Sequence, residues 1–149
     1  MRELSAEEVD ETLTRNGVGV LSLFDGTHPY AIPMSFGYDG SRPIFALQLG
    51  VGEDSRKQAC LETTTQAAFT VYEQIDTGHW RSVVITGELT EVPDDEVETA
   101  FAALTANAVF APDVSVWGVP LADADLTLYE LELTDCNGRE FSMGSHPSG

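Results

Sequence analysis

Two Asp-Gly pairs, Asp25-Gly26 and Asp39-Gly40, limit the folds open to this chain more than any other feature. An Asp-Gly pair suits a tight turn whose central residues need positive φ, and such a turn matches the right-handed twist of two antiparallel strands. The flanking runs agree with that reading. Val18, Val20, Leu21 and Leu23 precede the first pair, Tyr30 to Tyr38 lie between the pairs, and Ile44 to Leu49 follow the second. Three strands joined by hairpins are expected. Pro33 falls inside the second run. It has no N–H for a ladder, so that strand needs an edge, a bulge or a ligand at this point.

The rest of the chain extends this pattern. Ser5-Ala6-Glu7-Glu8 reads as a capping box opening a short amphipathic helix, with Val9 and Leu13 at helical spacing and Asn16-Gly17 as its stop. A second helix is expected from Asp54 to about Glu62, and Ala67 to Tyr72 return to strand pattern. After a polar turn at Gln74 to Gly78, His79 to Val92 form the longest strand candidate, with Gly87 marking a bulge. Pro93-Asp94-Asp95-Glu96 place acids at the start of another helix, whose inner face is Val97, Phe101 and Leu104. Residues Ala108 to Asp125 carry no clear pattern, and Leu126 to Leu133 make a last strand. Many strands joined largely by hairpins, with few helices, imply a mainly β (α+β) fold: a small antiparallel barrel with a few flanking helices, not a doubly wound sheet. At 149 residues one domain over 1–142 is expected, with 143–149 as a disordered tail.

The formal net charge is -18, from 25 acidic and seven basic residues, and the acids are spread along the whole chain. Such a surface repels nucleic acid and anionic membranes, so neither is an expected partner. Acidity of this degree, with a single lysine, suggests a halophilic protein, because molar salt shortens the Debye length to about 3 Å and mutes self-repulsion. No run reaches the ~18 apolar residues of a membrane span, and the N-terminus lacks the apolar core of a signal peptide, which together imply a cytoplasmic location. Cys60 and Cys136 stand alone, and His28, His79 and His146 have no ligand spacing, so no metal site is expected.

Basic residues are scarce enough that their clustering carries information. Ser55-Arg56-Lys57 follows a strand, two glycines and the acidic pair Glu53-Asp54, and Lys57 is the sole lysine. A hydroxyl, a helix start and two adjacent cations suit a phosphate: the helix dipole favours an anion, and Arg and Lys add charge-assisted hydrogen bonds. A solvated helix start is the competing reading of the same residues.

In this order of elements, Ser55-Arg56-Lys57 and the later string Trp80-Arg81-Ser82-Val83-Val84-Ile85-Thr86-Gly87 make the chain resemble the FMN-binding split β-barrel family related to pyridoxamine 5'-phosphate oxidase. The resemblance implies a split β-barrel, FMN as cofactor, and a homodimer with flavin in a cleft between subunits. It assigns the phosphate to Ser55, Arg56 and Lys57, and places Arg81 and Ser82 near the flavin. It sets Ala31, Ile32, Pro33 and Met34 along the ring edge and Ala46 and Leu47 on the neighbouring strand. It also implies flavin-mediated redox of a small-molecule substrate or electron donor. Two departures argue against oxidation of a phosphorylated vitamin: Phe36 stands where those oxidases have a basic residue, and their arginine-rich ending is missing. Arg56 likewise replaces the histidine of the branch resembling nitroimidazole reductases. Catalytic residues are unassigned. FAD, a deazaflavin or haem stay open as occupants of the same cleft, and so do a carrier module that stores flavin and a structural barrel that has lost it.

Overall fold

The computed structural model describes residues 1–24, 26–48, 66–107, 115–116, 119–120 and 126–143. In chain order the elements are β1 (Arg2–Glu3), α1 (Ala6–Arg15), β2 (Val18–Phe24), β3 (Pro29–Ser35), β4 (Gly37–Tyr38), β5 (Pro43–Gln48), β6 (Gln66–Asp76) and β7 (His79–Glu91). A 3-10 turn (Asp94–Glu96) leads into α2 (Val97–Asn107), followed by β8 (Ser115–Val116), β9 (Val119–Pro120) and β10 (Leu126–Ser142). The expected helix at Asp54 to Glu62, and with it Ser55, Arg56, Lys57 and Cys60, lies outside the described residues, as do 144–149.

The capping box is made: the Glu8 N–H donates to Ser5 Oγ at 3.2 Å and the Ser5 N–H to Glu8 Oε1 at 2.9 Å. Gly26 and Gly40 have φ of 96° and 94°, the left-handed values that Asp-Gly pairs supply at least cost. The main sheet runs β3-β2-β6-β7-β10-β5-β4, with β1 on β10, and every pairing in it is antiparallel.

This order explains the curl. β3 and β4 are the two ends of this order, yet they are separated in sequence by Phe36 alone. One residue can join opposite edges only if the sheet bends until they meet. The second strand read from the sequence as Tyr30 to Tyr38 is therefore two strands. Phe36 breaks it by turning inward: its N–H bonds to the Gly17 carbonyl at 3.1 Å, and its fully buried ring meets Phe69 edge-on with centroids 4.9 Å apart. The result is an antiparallel split β-barrel. Its core gathers Leu21, Phe36, Phe45, Phe69, Val83 and Leu131, and α1 closes one end with Leu13. Pro33 sits on an edge strand, opposite Val20, which meets the first of the conditions its missing N–H imposes.

The last strand exceeds its expected end at Leu133 by nine residues, reaching Ser142. The register with β7 shifts between Leu133 and Asp135, where Leu133 faces Gly87 and Asp135 faces Thr86. Gly87 thus marks the bulge from the opposite side. A Cβ on it would lie 1.8 Å from the Glu132 carbonyl oxygen, so only glycine admits this approach. The extra residue inverts alternation, and the inner face passes from Leu131 to Gly138 and Glu140.

Candidate functional site

Alternation along the strands sorts the expected site residues. On β3, Ile32 and Met34 pack against the core, while Ala31 and Pro33 point outward and are exposed. On β7, Val83 and Ile85 are buried and Val84 is 37% exposed. Arg81 consequently lies on the inner face and Ser82 on the outer one. Ala46 pairs with Leu128 beneath α2. Leu47 is paired with Thr127, its side chain being outside the described residues. Of the expected set, the structure brings Ala31, Pro33 and Ser82 onto one continuous surface, with Arg81 and Ala46 elsewhere.

That surface is the outer face of β3, β2, β6 and β7. Cross-strand registers line up Pro33, Val20, Thr70 and Val84 in one row, and Ala31, Ser22, Ala68 and Thr86 in the next. Tyr72 stands opposite Ser82 in a third row. None of these residues is charged, in a chain of net charge -18. Small side chains make the floor flat, and β3, at the sheet edge, leaves one side of its backbone unpaired by any strand among the described residues. A flat, uncharged floor beside an open strand edge suits a planar ring with polar atoms on its rim.

A groove of about 560 Å³ opens beside this floor, lined among others by Arg15, Val18, Val20, Pro33 and Tyr72. Tyr72 is 59% exposed and leans toward Trp80, ring centroids 6.4 Å apart. Arg15 is held by Glu73 in a two-point pair, with Nε 3.1 Å from Oε2 and Nη2 on Oε1. The Glu73 carboxyl lies below its ordinary range, chiefly through that pair. The reading of the sequence did not single out Arg15. Its relation to Glu73 spans 58 positions, and only the fold brings the two together.

Arg81 is committed to its own chain. Its Nε donates to Glu140 at 2.8 Å and its Nη2 to Glu8 at 3.3 Å, while Arg2 bridges the same two carboxylates at 2.8 Å each. The bonds from Arg2 hold the Glu8 carboxyl down at about 2, and those from Arg81 and then Arg2 hold Glu140 at about 2. Nε2 of His79 lies 3.4 Å from Glu140. The network ties β1 and α1 to β7 and β10. Phe36 is fully buried in the core.

Elsewhere, Tyr38 donates a hydrogen bond to Asp10, and Cys136 is free and exposed, its thiol pushed up by partial burial. Among the described residues no group of three or more His, Cys, Asp or Glu is arranged to hold a metal, and no helix is long and apolar enough to cross a membrane.

Solved structures share this architecture. An FAD-binding protein from Mesorhizobium loti is 24% identical with a TM-score of 0.70, the match covering 95% of this chain and 97% of that one. An FAD-binding protein from Mycobacterium smegmatis is 18% identical with a TM-score of 0.73, covering 96% and 100%. A heme-binding protein from the same organism is 18% identical with a TM-score of 0.69, covering 98% of this chain and 57% of that one. At these identities the likeness is one of fold. No curated protein matches the sequence. The family profile for pyridoxamine 5'-phosphate oxidase matches residues 5–140. Taken with the split barrel, that match places the chain: it belongs to the pyridoxamine 5'-phosphate oxidase family.

Proposed function

We propose that this protein binds a flavin, FMN in the first instance, on the uncharged outer face of β3, β2, β6 and β7, and serves as a flavin-dependent oxidoreductase of a small substrate. The observation that carries the reading is the face itself. A strongly acidic chain keeps charge off three adjoining rows where they cross β3, β2, β6 and β7, charge resuming only on β10 at Asp135 and Arg139, and opens a strand edge beside them. Ala31 and Pro33 border the ring and Ser82 offers a hydroxyl on the same side. Arg56 and Lys57 take the phosphate on sequence grounds.

A bound flavin supplies hydride or single-electron transfer; the chain's part is to position the ring and keep water from it. The face also wants covering. A second copy of the chain laid across it by a two-fold axis would bury Val84, exposed at 37%, and close the cleft in a homodimer, with Val18 and Tyr72 left at its rim. FAD is the named ligand of two structural neighbours, so the flavin's identity has to be measured.

Mass spectrometry of the ligand released on denaturing the native protein identifies it: FMN supports the proposal, FAD corrects the flavin, and a colourless protein that binds neither sinks the reading. Arg56→Ala is expected to weaken FMN by roughly 1.5–3 kcal/mol, the range for a hydrogen bond to a charged group. Riboflavin, lacking the phosphate, should hardly distinguish the variant from wild type.

A further inference from the structure

We propose that the groove between Arg15 and Tyr72 is a binding site for a small planar aromatic carboxylate, with Arg15 holding the acid and Tyr72 the ring. Its place next to a flavin rests on the reading above; its existence as a site does not.

Two grooves share Arg15. One, of about 370 Å³, runs along α1 between Glu7, Asp10 and Glu11 and repels any anion. In the other, of about 560 Å³, Arg15 carries the sole charge among the described lining residues. Although Glu73 pairs with it, Arg15 is the one charged group among those lining residues, and the N–H donors left on it favour an anionic acceptor over a neutral one. The kind of anion follows from Glu73. Its carboxylate meets Nε and Nη2 of Arg15, which accounts for two of the five N–H donors on the guanidinium fork and leaves the Nη1 side for a second planar acceptor. Arg15 is held from below by a residue of β6 and, with its side chain 49% exposed, stays open from above.

The body of the ligand follows from the walls. Pro33 and Val20 lie side by side in one cross-strand row, and Val18 and the Tyr72 ring flank them. Apolar, flat surfaces beside an exposed tyrosine favour an aromatic plane, stacked or edge-on. The volume is within the range of small-molecule sites. Glu73 then acts as a resident competitor: it steers the guanidinium and lowers its charge toward the ligand.

Titration calorimetry of the full-length protein with 2-naphthoate and with its neutral counterpart 2-naphthalenemethanol tests this. Wild type should bind the acid at least tenfold more tightly than the alcohol. Arg15→Gln should bring the two within about twofold, and Tyr72→Ala should weaken both alike. Glu73→Gln should tighten naphthoate severalfold, a gain that loss of fold cannot imitate, so this variant decides the matter even if Arg15→Gln proves unstable. Equal affinity for the two probes in wild type, no binding of either, a preference that survives Arg15→Gln, or weaker naphthoate binding in Glu73→Gln would each overturn the proposal. Flavin content of the same samples separates the two readings. Yellow protein without acid preference sinks the groove alone, and flavin-free protein with the preference sinks the flavin alone.

Discussion

Over β4, β5 and the first part of β10, the outer face of the sheet lies under α2, where Ile44, Val92 and Leu128 meet Val97, Ala100 and Ala103. Over β2, β6 and β7 the same face carries Val20, Thr70 and Val84, and α1 is no help because its buried residues, Thr12 and Leu13, sit on the inner side and at the barrel end. The covered half includes one buried charge, Glu130 opposite Ile44, which Arg42 pairs at 2.7 Å, and the bare rows on β2, β6 and β7 carry none. One is closed by the chain's own helix, and the other is left for something outside the chain. Burying a side chain the size of valine is worth about 1.5–3 kcal/mol, so the bare half holds back stabilisation that a flavin or a second subunit can supply.

The same substitution made in each half puts the contrast at risk. Ala100→Asp, in the covered half at 5% exposure, places an unpaired carboxylate under a helix too tightly to escape, since aspartate is too short to snorkel. A loss of roughly 3–5 kcal/mol is expected, the scale of an uncompensated buried charge, read as a fall in the denaturant midpoint. Val84→Asp, in the bare half, should cost the isolated chain under about 1 kcal/mol. In sedimentation and flavin titration, however, it should abolish the homodimer and release the cofactor, because two copies would then face each other with carboxylates. If Val84→Asp unfolds the chain as badly as Ala100→Asp, the bare half is not bare. If it leaves dimer and flavin untouched, the face serves neither.

The smallest expected effect concerns the inner end, where charge does what helix packing does elsewhere. Glu8 and Glu140 are held at about 2 against an ordinary 4.5. A carboxyl whose folded value is depressed stabilises the fold above its unfolded value and loses that contribution as pH falls through the folded one. The tie between β1, α1 and the sheet should therefore loosen from pH 4.5 down to 2 and stay constant between pH 6 and 9. Hydrogen exchange of the Leu4 amide, which bonds to the Gly138 carbonyl at 2.9 Å, reports it directly, and Arg81→Gln should flatten the dependence. The outer face, having no such charges, should exchange without a step in that window.

Much of this was legible beforehand because it is local. The Ser5 capping box, the Asp39-Gly40 turn and the alternation through Val83 and Ile85 each act within a few residues, and each formed as expected. The end of β10 was not legible, because the residue inserted near Thr134 inverts the alternation. The expected strand stopped at Leu133, although Asp135 to Ser142 continue it, paired to β7. Phe36 reads as one more strand residue, whereas its backbone links the two edge strands and its ring packs edge-on against Phe69. The strand of Ala31 and Pro33 was marked for the site by resemblance, but their shared surface with Ser82 depends on registers across three pairings. Arg81 sits next to Ser82 in sequence and on the other side of the sheet in space.

By itself, then, the sequence determined the first helix, the core of most described strands, the family, and that cations are too few to be spent idly. Those are properties of short stretches and of composition, governed by φ preferences, period and charge. The tertiary structure alone decided which half of the outer face is covered, that Arg81 answers to Glu8 and Glu140, and that Arg15 meets Glu73 and Tyr72 at one groove. Those outcomes rest on pairings between residues tens of positions apart, where a one-residue bulge moves every side chain beyond it to the opposite face.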